Sequence, residues 1–190
     1  MPQAKTLTPA EQEKLLAYIA SKPNAPRNRV MFLLTMWAGF RVSEVAGLKI
    51  SDVRNEDGSI RAEIYLSAER VKHGHAGVVY LNERLQHELA QYIASRKWHD
   101  EHQSLFTTQA NPRKGFSANT LTQHFHYLYK RAGIVGGSSH SGRRTFITTL
   151  ANKGVSVRLL ASLVRHANIA TTQRYIDVND DMKRNAVELV

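Results

Sequence analysis

The sequence predicts a mainly α-helical protein with one small antiparallel β-sheet, an α+β fold. Three observations predict it. Capped segments with helical periodicity fill both ends of the chain. Period-two alternation is confined to one stretch between Ile50 and Leu81. The chain has 190 residues, 42% apolar and 8% aromatic, which fills one core and excludes a disordered or low-complexity protein. There are no cysteines, so disulfides, thiolate zinc sites and cysteine nucleophiles are excluded. No apolar run approaches the roughly 20 residues of a membrane span. Met1 to Lys5 run into a polar helix start rather than a signal peptide. The expectation is a soluble, cytoplasmic protein.

Thr8 with Glu11 forms a capping box that opens a helix through Leu15, Tyr18 and Ile19. Lys22-Pro23-Asn24-Ala25-Pro26 breaks it. A helix from about Arg27 to Ala38 follows, apolar on most sides and therefore deeply buried, with Gly39 as its stop. A short helix spans Ser43 to Leu48. Asn55-Glu56-Asp57-Gly58 is a turn. Ile60, Ala62, Ile64 and Leu66 alternate with polar residues as a half-buried strand. A second turn, His73 to Gly77, leads to a second short strand, Val78 to Leu81. Asn82 caps a helix to about Arg96, and Ser117 caps one to about Ala132 with Gly133 as its stop. Ser138 or Ser139 opens the next, which ends at Gly154. Ser156 caps another to about Val164, and Asn168 a last short one through Tyr175.

Lysine and arginine total 26 against 16 acidic residues, a net charge of +10. The excess is local. From His102 to Ile176, 75 residues, there is no aspartate or glutamate. That stretch holds Arg113, Lys114, Lys130, Arg131, Arg143, Arg144, Lys153, Arg158, Arg165 and Arg174, and the rest of the chain is balanced. An acid-free basic run in a folded domain points to a polyanion. A membrane surface fits less well, because no basic amphipathic helix stands apart from the core. In the Ser117–Ala132 helix, Leu121, Phe125 and Leu128 form a buried stripe. Asn119, Gln123, His126 and Lys130 form a polar one, of side chains that can read base edges and hold phosphate.

Four segments carry chemistry. They are Gly39-Phe40-Arg41-Val42-Ser43-Glu44-Val45-Ala46-Gly47-Leu48, Lys72 eight residues before Tyr80, His140-Ser141-Gly142-Arg143, and His166-Ala167-Asn168-Ile169-Ala170-Thr171-Thr172-Gln173-Arg174-Tyr175. Together, in order and spacing, they resemble the tyrosine recombinases, the phage integrase family. The likeness covers roughly Leu7 to Tyr175. Three positions depart from the family pattern. Arg144 stands where histidine often follows the second arginine, Arg165 where glycine usually precedes the final histidine, and Tyr80 where proline is usual.

The resemblance implies an integrase-type DNA breaking-rejoining catalytic domain. Cutting a phosphodiester with a side-chain oxygen needs donors for the charged non-bridging oxygens, deprotonation of the nucleophile and protonation of the leaving oxygen. Two arginines can clamp a phosphate without a metal, and Arg41 and Arg143 fit. By family likeness His166 adds a donor and Tyr175 is the nucleophile, forming a 3′-phosphotyrosine. A phenol of pKa about 10 needs cationic neighbours and a base. His140 is the candidate base, Lys72 the candidate acid, and Glu44 buttresses Arg41.

The DNA-contacting set is Lys114, Asn119, Gln123, Lys130, Arg131, Arg144 and Arg165. No cofactor and no metal is expected, since no carboxylates cluster near the motifs. The resemblance further implies double-stranded DNA as partner, a tetramer on two DNA sites, accessory DNA-bending proteins and a place at the nucleoid. Residues 1–176 read as the catalytic domain and 177–190 as a tail, with Met182, Ala186, Val187 and Leu189 at roughly helical spacing. Only about 25 residues precede the apolar helix, so the family's separate DNA-clamping domain is expected to be absent. The alternatives are a type IB topoisomerase-like nicking-resealing enzyme and a non-cleaving DNA-binding regulator on the same fold.

Overall fold

The computed structural model describes residues 3–70, 76–96, 100, 102–111, 113–176 and 180–188. Among these, the element order is α1 (Pro9–Ala20), α2 (Ala25–Trp37), α3 (Val42–Ala46), α4 (Ile50–Val53), β1 (Glu63–Leu66), β2 (Gly77–Tyr80), α5 (Glu83–Ala94), α6 (Ala118–Arg131), α7 (Ser141–Asn152), α8 (Val157–Leu163), α9 (Ile169–Gln173) and α10 (Asp180–Val187). A 3-10 turn, Ala68–Arg70, follows β1. The mainly α architecture with one two-stranded antiparallel sheet is the one the sequence predicts.

Helix α2 is the axis of the core. Val30, Met31, Phe32, Leu33, Leu34 and Met36 are all buried, and α2 packs against α1, α3, α5 and α7. Each such side chain contributes on the order of 1.5–3 kcal/mol by leaving water. The helix starts at Ala25, two residues before the sequence expectation. Pro26 lies in its first turn, where a missing N–H costs nothing, so the proline opens the helix instead of delaying it.

The caps form where the sequence places them. The Thr8 hydroxyl accepts from Glu11 N, and the Glu11 carboxylate accepts from Thr8 N. The Asn82, Ser117, Ser156 and Asn168 side chains cap α5, α6, α8 and α9. Helix α7 differs. Its first helical residue is Ser141, with His140 at the cap position, because Ser138 is spent on a turn whose carbonyl accepts from Ser141 N.

Helix α4 was not anticipated. Its cap is the Lys49 amide donating to Asp52 Oδ2 at 2.7 Å. The first strand is shorter than the alternation suggests. Ile64 and Leu66 are buried, Ala62 is exposed, and Ile60, packed against the core, lies outside the ladder in an isolated bridge with Arg54. The ladder pairs Glu63 with Tyr80, Ile64 with Val79, Tyr65 with Val78 and Leu66 with Gly77. Lys72 and the His73–His75 part of the turn lie outside the described residues. Helix α10 covers Asp180–Val187 of the tail, and Asp177, Val178, Asn179, Leu189 and Val190 lie outside the described residues. Among the described residues, no helix is long and apolar enough to cross a membrane.

Candidate active site

The first box sits where α2 hands over to α3. Gly39 has φ +67°, a left-handed conformation that suits glycine, and a Cβ there would lie 2.7 Å from Phe146 Cδ1. This turn delivers Arg41 to the N-terminal cap of α3, with a partly exposed guanidinium. Glu44, one turn on, is buried at 3% exposure. Its Oε1 accepts from Arg41 Nη1 at 2.7 Å and its Oε2 from Arg41 N at 2.8 Å. Burial alone would raise the Glu44 pKa. Arg165, the Arg41 amide, and the Arg41 and Arg143 charges more than offset it, so the group is held below its usual value. Glu44 is therefore a carboxylate, in the buttress position the sequence suggests.

The second box rides on α7, which crosses α2. A Cβ on Gly142 would lie 2.1 Å from Thr35 Oγ1, so only glycine lets the helices approach this closely. That approach buries Arg143 to 4% exposure. Its Nη1 donates to the Gly39 carbonyl and its Nη2 to the Val164 carbonyl. Burial, then the Arg41 charge, lowers its pKa to about 9, so it stays charged at neutral pH. Arg143 thus ties the first box to the last through two backbone oxygens.

The final box begins at the end of α8. Arg165 has φ +55°, left-handed although it is not glycine, at a cost on the order of 1 kcal/mol. This explains why glycine suits the position. His166 follows, with Nδ1 2.8 Å from Thr172 Oγ1. Burial, then Arg143, Arg41 and Arg165, pushes its pKa down to about 4, so the imidazole is neutral over the working range. The Tyr175 ring stacks on it, centroids 5.9 Å apart at 21°. The Arg144 guanidinium lies 5.3 Å from the Tyr175 centroid, on its face.

The fold therefore brings together Arg41, Glu44, Arg143, His166 and Tyr175 from α3, α7 and the α8–α9 segment. His140 is exposed at the cap of α7, one turn before Arg143. Lys72 lies outside the described residues. Among the residues expected on DNA, Lys114, Asn119, Gln123, Lys130 and Arg131 are exposed. Arg144 and Arg165 are not. Arg144 is 9% exposed and its Nε donates to Thr6 Oγ1 at 3.0 Å. The Arg165 side chain is 5% exposed and its Nη2 donates to Glu44 Oε2 at 2.7 Å. Both turn inward because a buried carboxylate, a hydroxyl and an aromatic face offer them partners there.

Sequence reasoning missed four supports: Thr172, which holds His166; Thr35 and Gly142, which set the helix crossing; and the Val164 carbonyl. The Gly in His-Ser-Gly-Arg was the available signal for the crossing. Among the described residues, no group of three or more His, Cys, Asp or Glu is placed to hold a metal ion.

This arrangement, an arginine pair and a histidine beside a tyrosine on a helical domain, defines a class. The chain belongs to the phage integrase family, whose pattern it matches over residues 5–182. It is 32% identical over 185 residues to the tyrosine recombinase XerA of Pyrococcus horikoshii, covering 97% of this chain and 60% of that protein. To XerA of Thermococcus kodakarensis it is 34% identical over 191 residues, covering 97% and 62%. It also resembles the crystal structure of XerA recombinase, with a TM-score of 0.75 at 26% identity over 100% of this chain and 66% of that one. The fold is likewise that of the XerH recombinase bound to its difH substrate, TM-score 0.69 at 21% identity over 96% and 53%. The chain spans about 60% of the length of the curated relatives it matches.

Proposed function

We propose that this chain carries the catalytic domain of a site-specific DNA recombinase, cutting and rejoining strands through a 3′-phosphotyrosine. The observation that carries the reading is the convergence of Arg41, Arg143, neutral His166 and Tyr175, locked together by Glu44 and the Gly39 and Val164 carbonyls. The matched relatives are named tyrosine recombinases, and XerH is described as a site-specific recombinase bound to its difH substrate, which together favour DNA as the partner here.

In this reading the Tyr175 Oη attacks phosphorus, the P–O5′ bond breaks, and a phosphotyrosine ester forms. The tyrosine proton passes to His140, and Lys72 protonates the departing 5′ oxygen. Arg41 and Arg143 donate to the non-bridging oxygens, where charge grows. Because His166 is neutral, it has one donor and one acceptor nitrogen. With the Thr172 hydroxyl donating to Nδ1, Nε2–H is left to donate to the same phosphate. No metal or cofactor takes part. Rejoining is the reverse attack by a 5′ hydroxyl.

Residues 1–176 would be the catalytic domain and 177–190 a tail coupling subunits in a tetramer on two sites. Lys114, Asn119, Gln123, Lys130 and Arg131 would meet DNA, with accessory bending proteins and a nucleoid location following from that partner. The test is adduct formation on a nicked duplex, in EDTA, using DNA selected by binding to the protein. A denaturation-resistant protein–DNA band is expected. Binding without any band would favour a non-cleaving regulator. Relaxation of plasmid without recombination of two marked sites would favour a topoisomerase-like enzyme.

A further inference from the structure

Arg165 carries an unspent charge. Its side chain is 5% exposed, and among the described residues only its Nη2 has a hydrogen-bond partner, the Glu44 Oε2 at 2.7 Å. Nε and Nη1 are fully buried and find no hydrogen-bond partner among the described residues. A buried guanidinium with two orphan donors is costly, because water has been removed and nothing replaces it. The backbone adds to the cost, with a left-handed φ of +55° that glycine would tolerate. The cost is incurred beside the reacting groups. Arg165 precedes His166, its own carbonyl accepts from Arg41 Nη2 at 3.4 Å, and its guanidinium sits over Phe40. Together with Gly77, Val78, Tyr80, Ser162 and His166 it lines an open recess of about 430 Å³ between β2 and α8. Gly77 is what lets it lie there, since a Cβ would fall 2.7 Å from Arg165 Cδ.

Charge balance runs the same way. Arg41, Arg143 and Arg165 surround one carboxylate, Glu44, among the described residues. Three cations on one anion leave a concentrated positive excess around Glu44, and Arg165 and His166 carry it to the edge of the recess. A phosphodiester entering beside His166 supplies both the missing charge and the missing acceptors.

We propose that Arg165 is a third arginine of the phosphate clamp: its unpartnered Nη1 donates to a non-bridging oxygen of the DNA phosphate being cut, while Nη2 stays on Glu44. This rests on the recombinase reading above. Holding a carboxylate with one terminal nitrogen and a phosphate with the other takes the planar guanidinium of arginine, and lysine cannot reproduce it.

The test compares the parent with Arg165→Gly and Arg165→Lys on nicked duplexes carrying the selected site. Glycine suits the left-handed backbone, so this variant removes strain and keeps the fold, while Arg41 still pairs Glu44. Each protein is given a phosphodiester or a methylphosphonate, of either configuration, at the cut position. The methylphosphonate lacks one charged oxygen. On the phosphodiester, Arg165→Gly should slow adduct formation by tenfold to a hundredfold, the range of one or two charge-assisted hydrogen bonds. Arg165→Lys should be slowed almost as much. On the methylphosphonate of one configuration the penalty of Arg165→Gly should largely vanish, because the acceptor is already gone. Equal slowing on all substrates would reduce Arg165 to a prop for Glu44 and overturn the inference, as would no slowing at all. No adduct from the parent on any substrate would overturn the recombinase reading, and this inference with it.

Discussion

The imidazole of His166 lies face to face with the phenol of Tyr175, centroids 5.9 Å apart and planes inclined by 21°. The contact uses the rings alone and leaves the hydroxyl for chemistry. Tyr175→Phe should therefore keep the stack, the Arg144 contact with the same ring and the stability of the fold. DNA affinity should change by less than about twofold, since only the hydroxyl is removed and both ring contacts remain. The covalent adduct should disappear. An adduct from the Phe variant would reassign the nucleophile.

Lys72 is tested by its leaving group. Lys72→Ala should slow cutting by about 10²–10⁴-fold, the usual worth of a positioned acid, with little effect on binding. Replacing the 5′ oxygen by sulfur removes the need for a proton, so the variant should then cut at close to the parent rate. If sulfur brings no rescue, Lys72 is not the acid. A defect in binding alone would make it a phosphate contact.

Much of this candidate site was legible because the residues that meet in it, Arg41, Arg143, His166 and Tyr175, belong to segments recognisable by residue type and spacing. What residue type does not encode is direction. Arg113, Lys114, Lys130, Arg131, Lys153, Arg158 and Arg174 of the acid-free run are exposed, while Arg143, Arg144 and Arg165 turn inward. Their inward partners, the Val164 carbonyl, Thr6 and Glu44, come from segments 21, 138 and 121 residues away. Local pattern cannot supply such pairings. The strand limits failed for a similar reason. The alternation from Ile60 to Leu66 outruns its partner, since β2 offers four residues to pair. Helix α4 is a single turn, below the length at which periodicity registers.

Salt should expose the outward charges. Seven exposed cations of the run would release about six counterions if each met a phosphate, a log–log slope on the order of −6. Lys114→Glu should make that slope shallower by one to two. Glu13→Lys on exposed α1 should leave it unchanged. Glu11 is unsuited as a control, because it closes the α1 capping box and pairs Lys5 at 2.5 Å. Binding isotherms from 50 to 300 mM salt (about a sixfold range) decide the matter. Equal effects at Lys114 and Glu13 would mean that the charge asymmetry of the chain is not an asymmetry of its surface.

Stability should fall between pH 6.5 and 4. Burial, then Arg27 and Arg131, pushes the His124 pKa down to about 4, and its buried Nε2 has no hydrogen-bond partner among the described residues. The unfolded chain takes up the proton near pH 6.5 while the folded one resists until about 4. The unfolded state thus binds more protons across that window. His124 contributes stability that is complete above the unfolded value and is lost as pH falls through the folded one, on the order of 2–3 kcal/mol in all. His166, also near 4, acts in the same direction but is partly exposed and adds less. Urea unfolding at pH 7 and pH 5 should give a clearly smaller difference for His124→Gln than for the parent. Identical differences would show that His124 carries none of the acid sensitivity.

The tail gives the last prediction. Helix α10 spans only Asp180–Val187, about two turns, which is too short to persist in water on its own propensity. Ala186 is exposed and Val187 is 68% exposed. An apolar edge left open on a marginal helix gains stability only by docking, on its own domain or on another copy of the chain. Removing residues 179–190 discriminates between these. If the tail docks between subunits, single-site cutting should stay within about threefold of the parent, because the groups around Tyr175 are held by α3, α7 and α8. Recombination between two sites should fall at least tenfold, and the synaptic complex should be lost from native gels. Loss of both activities, with a lowered melting temperature, would instead place the tail on its own domain. Recombination at the parent rate would remove the tail from the reaction altogether.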